Sequence, residues 1–290
     1  MNGSDILMAL AALALAPLIG GILRGLDRIL TARMQGRIGP PLWQPFYDFI
    51  KLCAKSKKAS HRGPVVWAWA YLVLTVTAWL LFVLRQDLLI LLFILAFAGA
   101  SLALGAFSVR SPYAHFGAYR ELLQMLAYEP ILLLAAVAIF LKTGSFMVGD
   151  VLGFEQPLLI SLPLTLVAVL IALGIKMRKS PFDIAASEHA HQELVRGVYT
   201  EYSGPTLALI ELTHWYELVL VLGIISLFWV IPLWVGIIIA LSCYFLEILI
   251  DNITARLRWS WMLTVGWSLG VGLILLNIVI VEFFGLGLRL

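Results

Sequence analysis

Glu129, Glu211, His214, Glu217 and Glu247 are ionisable residues set in otherwise apolar stretches of sequence. An ionised carboxylate in hydrocarbon costs several kcal/mol, so such groups face a protein interior or a hydrated track, where they can hold and pass protons. At roughly 100° per residue, Glu211, His214 and Glu217 fall within one third of a helix circumference and form a polar stripe rather than a scatter. Glu129, in Tyr128-Glu129-Pro130, lies well inside its apolar run and reads as functional. Glu247, with Asp251 one turn on, has two readings that both stand: a helix-end group beside Arg256 and Arg258, or a member of the same relay. Glu282, near the end of the last apolar run, reads as interfacial and silent.

A second concentration of chemistry is the segment Arg178–Glu211 (RKSPFDIAASEHAHQELVRGVYTEYSGPTLALIE). Connections this long without structure of their own are uncommon in compact domains, and the length argues for function. Pro181 forces Ser180 out of helical geometry and ends the preceding apolar run. The segment then presents Asp183, Glu188, His189, His191, Glu193, Arg196 and Glu201. On a helix, His189 and His191 would diverge by about 200° and could not share a metal; proton relay or salt-bridged scaffolding is the reading taken for them. Cys53 and Cys243 stand far apart, and no Cys or His cluster supplies the four ligands of an iron–sulfur cluster or a structural zinc. No cofactor is expected in this chain, and redox metals, if any, belong to another.

Pro41–Lys58 (PLWQPFYDFIKLCAKSKK) carries apolar Leu42, Phe46, Phe49, Ile50 and Cys53 at three- and four-residue steps, with Gln44, Asp48, Lys51, Lys55 and Lys58 on another side. This is an amphipathic helix too short and too charged to span a bilayer. It is either an interfacial helix drawn to anionic lipid or a helix lying against the bundle as a docking surface for a cytoplasmic partner. The turn Gln35-Gly36-Arg37-Ile38-Gly39-Pro40-Pro41, which would fix its position, favours the second.

The elements that position these groups are membrane helices. Only 13 % of the 290 residues are charged and 62 % are hydrophobic, with a mean hydropathy of +0.98, where a soluble domain carries about 25 % charged residues. These values exclude a soluble enzyme, a disordered chain and a globular head on one anchor, and long apolar runs exclude a β-barrel. Eight spans are expected: Met1–Leu23, Val65–Leu84, Leu88–Phe107, Leu122–Leu141, Leu158–Ile175, Leu212–Ile231, Leu233–Ile250 and Met262–Phe284. Each is long enough to cross about 30 Å of hydrocarbon. Trp67, Trp69, Trp79, Trp229, Trp234, Trp259 and Trp261 lie near span ends, as interfacial anchors do. The first run has no basic flank before it and Arg24, Arg28, Arg33 and Arg37 after it, the pattern of a retained helix rather than a signal peptide. Of the 20 Lys and Arg residues, all but Arg85, Lys142 and Arg289 fall on the side reached after the first span, which makes that side cytoplasmic and places both termini outside. With no linker and no internal repeat, residues 1–290 read as a single all-α polytopic transmembrane domain, without the inverted-repeat plan of many secondary transporters.

Several motifs in order give this chain a resemblance. Arg37-x-Gly39-Pro40, Gln44-Pro45, Asp48 and Lys51 are followed by Arg120, Gln124 and Tyr128-Glu129. Pro181-Phe182-Asp183, Glu193-Leu194-Val195 and Thr200-Glu201-Tyr202-Ser203-Gly204 come next, then Ala255-Arg256-Leu257-Arg258. Together they resemble the subunit 1 family of respiratory complex I, shared with the membrane subunits of energy-converting (group 4) [NiFe] hydrogenases, over nearly the whole chain. The complex I loop usually runs from Pro-Phe-Asp to Glu-Leu-Val through Pro-Glu-Ala-Glu. The longer Ile184–Gln192 here, with Leu209–Glu217 (LIELTHWYE), is similar to the hydrogenase branch, especially the Ech and CO-linked types.

The resemblance implies a docking and coupling subunit that performs no catalysis itself. It would link ferredoxin-dependent proton reduction or H2 oxidation in a peripheral arm to H⁺ or Na⁺ translocation. Implied partners are the hydrogenase small and large subunits with the NiFe centre, a ferredoxin-like subunit with iron–sulfur clusters, and an antiporter-like membrane subunit, all in a prokaryotic inner membrane with no nucleic acid. Arg37, Asp48, Lys51, Arg120, Arg196, Arg256 and Arg258 would dock the arm. Glu129, Asp183, His189, His191, Glu193, Glu201, Glu211, His214, Glu217 and Glu247 would form the relay. The alternatives are a quinone-chamber subunit of complex I, a stand-alone secondary ion transporter and a purely structural anchor.

Overall fold

The computed structural model describes residues 3–56, 62–185 and 196–283. Its elements in chain order are α1 (Gly3–Met34), α2 (Gln44–Ala54), α3 (Gly63–Val83), α4 (Leu88–Phe107), α5 (Pro112–Thr143), the short α6 (Val148–Leu152) and α7 (Leu158–Ser161), and α8 (Pro163–Lys176). A 3₁₀ turn at Gly197–Tyr199 precedes α9 (Pro205–Ser226) and α10 (Leu233–Ile253). The last rod is continuous: α11 (Trp259–Thr264), a π-helical stretch over Val265–Val271 and α12 (Gly272–Phe283). Seven of these rods are long and apolar enough to cross a membrane, and α8 is a shorter apolar helix.

Local chemistry sets the ends. Asp87 caps α4, its Oδ1 accepting from the N–H groups of Leu89 and Ile90 at 2.8 and 3.1 Å, as N-terminal carboxylates do. Proline opens α5, α8 and α9, where its missing N–H is no loss. Gly36, at φ +68°, ends α1, the left-handed conformation that glycine adopts without steric penalty.

Three boundaries differ from the sequence expectation. Helix α5 runs 32 residues and takes in Arg120 and Glu121, which hydropathy alone leaves in the preceding loop. Helix α9 begins at Pro205, so Glu211, His214 and Glu217 lie inside it rather than at its start. The expected Leu158–Ile175 span is broken between Ser161 and Pro163, because the Pro163 ring conflicts with the turn before it. The remaining 14-residue α8 covers only about 21 Å at 1.5 Å per residue.

Packing surrounds α9, which has 72 % of its apolar window buried against 22 % for α1. On one side, α5 meets α8 and the last rod. Pro130 interrupts α5 and cannot donate to the Leu126 carbonyl; the indole N–H of Trp267, in the π-helical stretch, donates to it at 3.2 Å. The approach requires Gly266, where a Cβ would come within 2.9 Å of the Ala127 oxygen. The break before α8 is bridged by buried Asn277 of α12. Its Oδ1 accepts from the Thr165 N–H at 3.0 Å, and its Nδ2 donates to the Ser161 carbonyl at 2.8 Å.

Asn277→Ala leaves both backbone groups unsatisfied and should destabilise the fold by about 1–3 kcal/mol. Thermal unfolding of the detergent-solubilised protein reads this as a lowered Tm; an unchanged Tm would show that the bridge does not hold the broken helix.

Candidate functional site

Three cations follow one another at the end of α8: Lys176, Arg178 and Lys179. Their side chains are 4–8 % exposed, although the sequence suggests a solvated basic loop. Because α8 is short, its end lies deeper than that of a 20-residue helix, and cations at that depth must be partnered. Each is. Lys176 Nζ donates to Glu217 Oε1 at 3.1 Å. Arg178 grips Glu121 with two bonds, Nε to Oε2 at 3.0 Å and Nη2 to Oε1 at 2.5 Å. Lys179 Nζ donates to Asp27 Oδ2 at 2.7 Å and lies 3.7 Å from Asp251 Oδ2. One short stretch of chain thereby ties α8 to α9, α5, α1 and α10.

Arg178 sits at φ +51°. The N–H of Arg178 reaches the Ile175 carbonyl at 3.2 Å, and that of Lys179 reaches Gly174 at 3.3 Å, a helix ending that favours glycine in the left-handed position. A side chain is kept there despite a penalty of about 1–2 kcal/mol, because the turn aims the guanidinium into the bundle. Burial alone would lower the Arg178 pKa, but Glu121 beside it reverses this and holds the group charged, well above its ordinary range.

The polar stripe of α9 meets these cations. His214 Nε2 lies 3.2 Å from Arg178 Nη1 and 3.0 Å from the Tyr199 hydroxyl. A guanidinium only donates, so Nε2 accepts and the ring proton is on Nδ1. One turn on, Glu217 is buried, accepting from the Tyr71 hydroxyl at 2.7 Å as well as from Lys176. Lys176 lies over the Tyr128 ring, 5.0 Å from its centroid. The next residue is Glu129, whose Oε1 is buried with no hydrogen-bond partner among the described residues. The polar groups thus form a ladder from Asp27, Lys179 and Asp251, through Arg178, Glu121 and His214, to Glu217, Lys176 and Glu129.

The other residues singled out from the sequence fall around this ladder. Asp183 is buried and held by Arg256 through two bonds, at 3.0 and 2.8 Å, so one expected relay residue and one expected docking residue form a single ion pair. Glu211 and Arg196 likewise approach to 3.7 Å. Glu247 is 4 % exposed and packs against Gly174, where a Cβ would come within 2.6 Å of its Oε2. Its neighbour Asp251 accepts from the Ser180 N–H at 2.8 Å and faces Lys179 rather than Arg258. Glu201 is exposed, as are Arg37, Lys51 and Arg258. Asp48 accepts from Arg28 at 2.7 Å and from Gln44 at 2.9 Å, and Arg120 donates to the Ile184 carbonyl at 3.3 Å. His189, His191 and Glu193, with Glu188, lie outside the described residues, as do Lys57 and Lys58. Among the described residues no group of three or more His, Cys, Asp or Glu side chains is arranged to hold a metal ion.

Asp27, Glu121, Lys176, Arg178, Lys179, Tyr71 and Tyr199 are site residues that hydropathy did not single out. The signal available was α8 itself, whose apolar stretch after Pro163 is too short to carry the cations behind it out of the hydrocarbon. In the Thr200–Gly204 motif, burial pushes the Tyr202 hydroxyl above the usual phenol range, and its oxygen has no hydrogen-bond partner among the described residues.

Lys176→Met strands the Glu217 carboxylate and should destabilise the fold by about 3–5 kcal/mol. Adding Glu217→Gln should restore most of that loss in chemical unfolding, whereas additive losses would mean that the two do not form a pair. Arg178→Gly should relax the backbone yet still lose about 2–4 kcal/mol, because Glu121 is left unpaired; a stabilised variant would contradict the ion-pair role.

Comparison with known proteins places this geometry. A family profile described as NADH dehydrogenase matches residues 6–282. Hydrogenase-4 component C of Escherichia coli (strain K12) is 33 % identical over 227 residues, covering 72 % of this chain and 70 % of that one. Formate hydrogenlyase subunit 4 of the same strain is 33 % identical over 219 residues, covering 69 % and 68 %. A membrane component of the NADH-quinone oxidoreductase of Syntrophotalea carbinolica is 28 % identical over 295 residues, covering 88 % of each. Among solved structures, a chain of the membrane-bound sulfane sulfur reductase, an archaeal respiratory membrane complex, shares the fold with a TM-score of 0.83 at 23 % identity, covering 96 % of this chain and 99 % of that one.

Proposed function

Since this chain belongs to the NADH dehydrogenase family, we propose that it is the membrane-embedded docking and coupling subunit of a multisubunit energy-converting [NiFe] hydrogenase. At the coarser level it is a membrane subunit of a hydrogenase-type or complex I-like energy-converting complex. The hydrogenase reading is supported by the two relatives at 33 % identity, both from hydrogenase or hydrogenlyase systems, and by the Ile184–Gln192 and Leu209–Glu217 sequences.

The observation that carries the coupling role is the buried ladder. In a low-dielectric bundle, a change of charge at one group is felt strongly by its neighbours. Asp183 with Arg256, and Glu211 with Arg196, lie where the loops gather at one end of the bundle. By the positive-inside rule this end faces the cytoplasm of a prokaryotic cell and both termini lie outside. The peripheral arm, with hydrogenase large and small subunits and a ferredoxin-like subunit, would seat there on Arg37, Lys51, Arg120 and Arg258. NiFe and iron–sulfur chemistry would belong to those partners. A redox step in the arm would change the field at Asp183, and rearranged pairs at Lys179, Arg178 and Lys176 would carry the change to Glu129. From Glu129 it would pass to an antiporter-like membrane subunit that moves H⁺ or Na⁺. The relatives from NADH-quinone oxidoreductases favour a second reading, a complex I-type subunit, which predicts quinone-dependent activity without a NiFe centre.

In vesicles holding the intact complex, Glu129→Gln and Asp183→Asn should each lower the ions moved per H2 several-fold while leaving the dye-linked hydrogenase activity of the arm in place. Unchanged coupling in both variants would refute the relay.

A further inference from the structure

A cavity of about 550 Å³ opens between α1, α2 and the start of α9. Its floor is the balanced cluster of Asp27, Lys179 and Asp251, and two further pairs on its walls, Arg28 with Asp48 and Arg196 with Glu211, are also balanced. Arg37, Lys51 and Lys55 remain. All three line the cavity and are exposed, and among the described residues none has a carboxylate within salt-bridge distance; Arg37 donates instead to Gln35 Oε1. The cavity therefore carries an uncompensated positive lip above a neutral floor.

Helix α2 shows what lies beside that lip. Phe46 and Phe49 turn inward, their rings 5.2 and 5.6 Å from that of Trp215 on α9. Trp43, Tyr47 and Ile50, one turn apart, are 51 %, 58 % and 62 % exposed on the opposite side. Lys51 and Lys55 fall between the two faces at roughly 100° per residue. Ile38, at the rim, is 93 % exposed. Exposed Trp, Tyr and Ile next to lysines mark the level of lipid headgroups.

We propose that this cavity binds the phosphate-bearing headgroup of an anionic membrane lipid, with the phosphate against Lys51, Lys55 and Arg37 and the acyl chains along the exposed Ile38 and α2 face. A neutral ring or a zwitterionic headgroup would leave the lip uncompensated. A free phosphate would satisfy the charge but would leave the apolar rim bare, so the geometry favours the lipid over the free anion.

The test uses the full chain in its purified membrane complex, stripped of lipid by detergent and titrated with short-chain phosphatidylglycerol. Retained lipid is counted by native mass spectrometry, with phosphatidylcholine of the same chain length and inorganic phosphate as separate arms. One phosphatidylglycerol per chain should bind at least about tenfold more tightly than phosphatidylcholine. Lys51→Ala/Lys55→Ala should weaken it by about tenfold or more, and Lys51→Arg/Lys55→Arg should retain it. Both lysines are exposed, and the arginine variant serves as the check on folding. Equal binding of the two lipids, or no effect of the alanine variant, would overturn the proposal. So would full displacement by inorganic phosphate at equal concentration, which would assign the site to a free anion.

Discussion

The bidentate contact between Arg178 and Glu121 holds the rest of this structure in place. Desolvating two charges costs several kcal/mol each, and attraction repays that only where the geometry is good and further hydrogen bonds complete the site. Here the fork-shaped guanidinium spends two bonds on one carboxylate and a third contact on His214. The pair is weak evidence of net stability but strong evidence of specificity: separating α5 from α8 would leave either charge alone in a dry interior. Lys176 and Lys179 repeat the arrangement toward α9 and toward α1 and α10, so the register of five helices is tied to four residues of one chain segment.

That architecture also explains how a bundle without a resident cofactor can take part in energy conversion. Paired charges in series respond collectively, since a change at one rung alters the field at the next with little solvent screening. Glu217 is shared between Tyr71 and Lys176, and His214 between Arg178 and Tyr199; each has a second partner to fall back on when the first is drawn away. Glu129 stands apart, with a buried oxygen left unsatisfied beside the proline break of α5. A buried acceptor without a partner is costly to keep, which marks it as a place where a proton, a water or another subunit completes the structure.

The all-α membrane character, the amphipathic helix and the stripe of Glu211, His214 and Glu217 were legible from periodicity and composition, because those signals are local. Family membership was legible from motif order, and the comparisons bear it out. The cationic half of the ladder was not. Lys176, Arg178 and Lys179 look like positive-inside flanking residues, and only the three-dimensional shortness of α8 shows that they point into the bundle. Asp27 and Glu121 were hidden for the same reason: each follows or precedes an arginine near the end of an apolar run, where a charge normally means solvent. Pairing between elements far apart in sequence, as between Arg256 and Asp183, has no local signature at all.

The most direct test of the ladder is infrared difference spectroscopy of the intact complex, stepped between its oxidised and reduced forms. Charge passing through this subunit predicts a protonated-carboxyl band that changes with the redox step and disappears in Glu129→Gln. A redox difference spectrum identical in the wild type and in Glu129→Gln would contradict it.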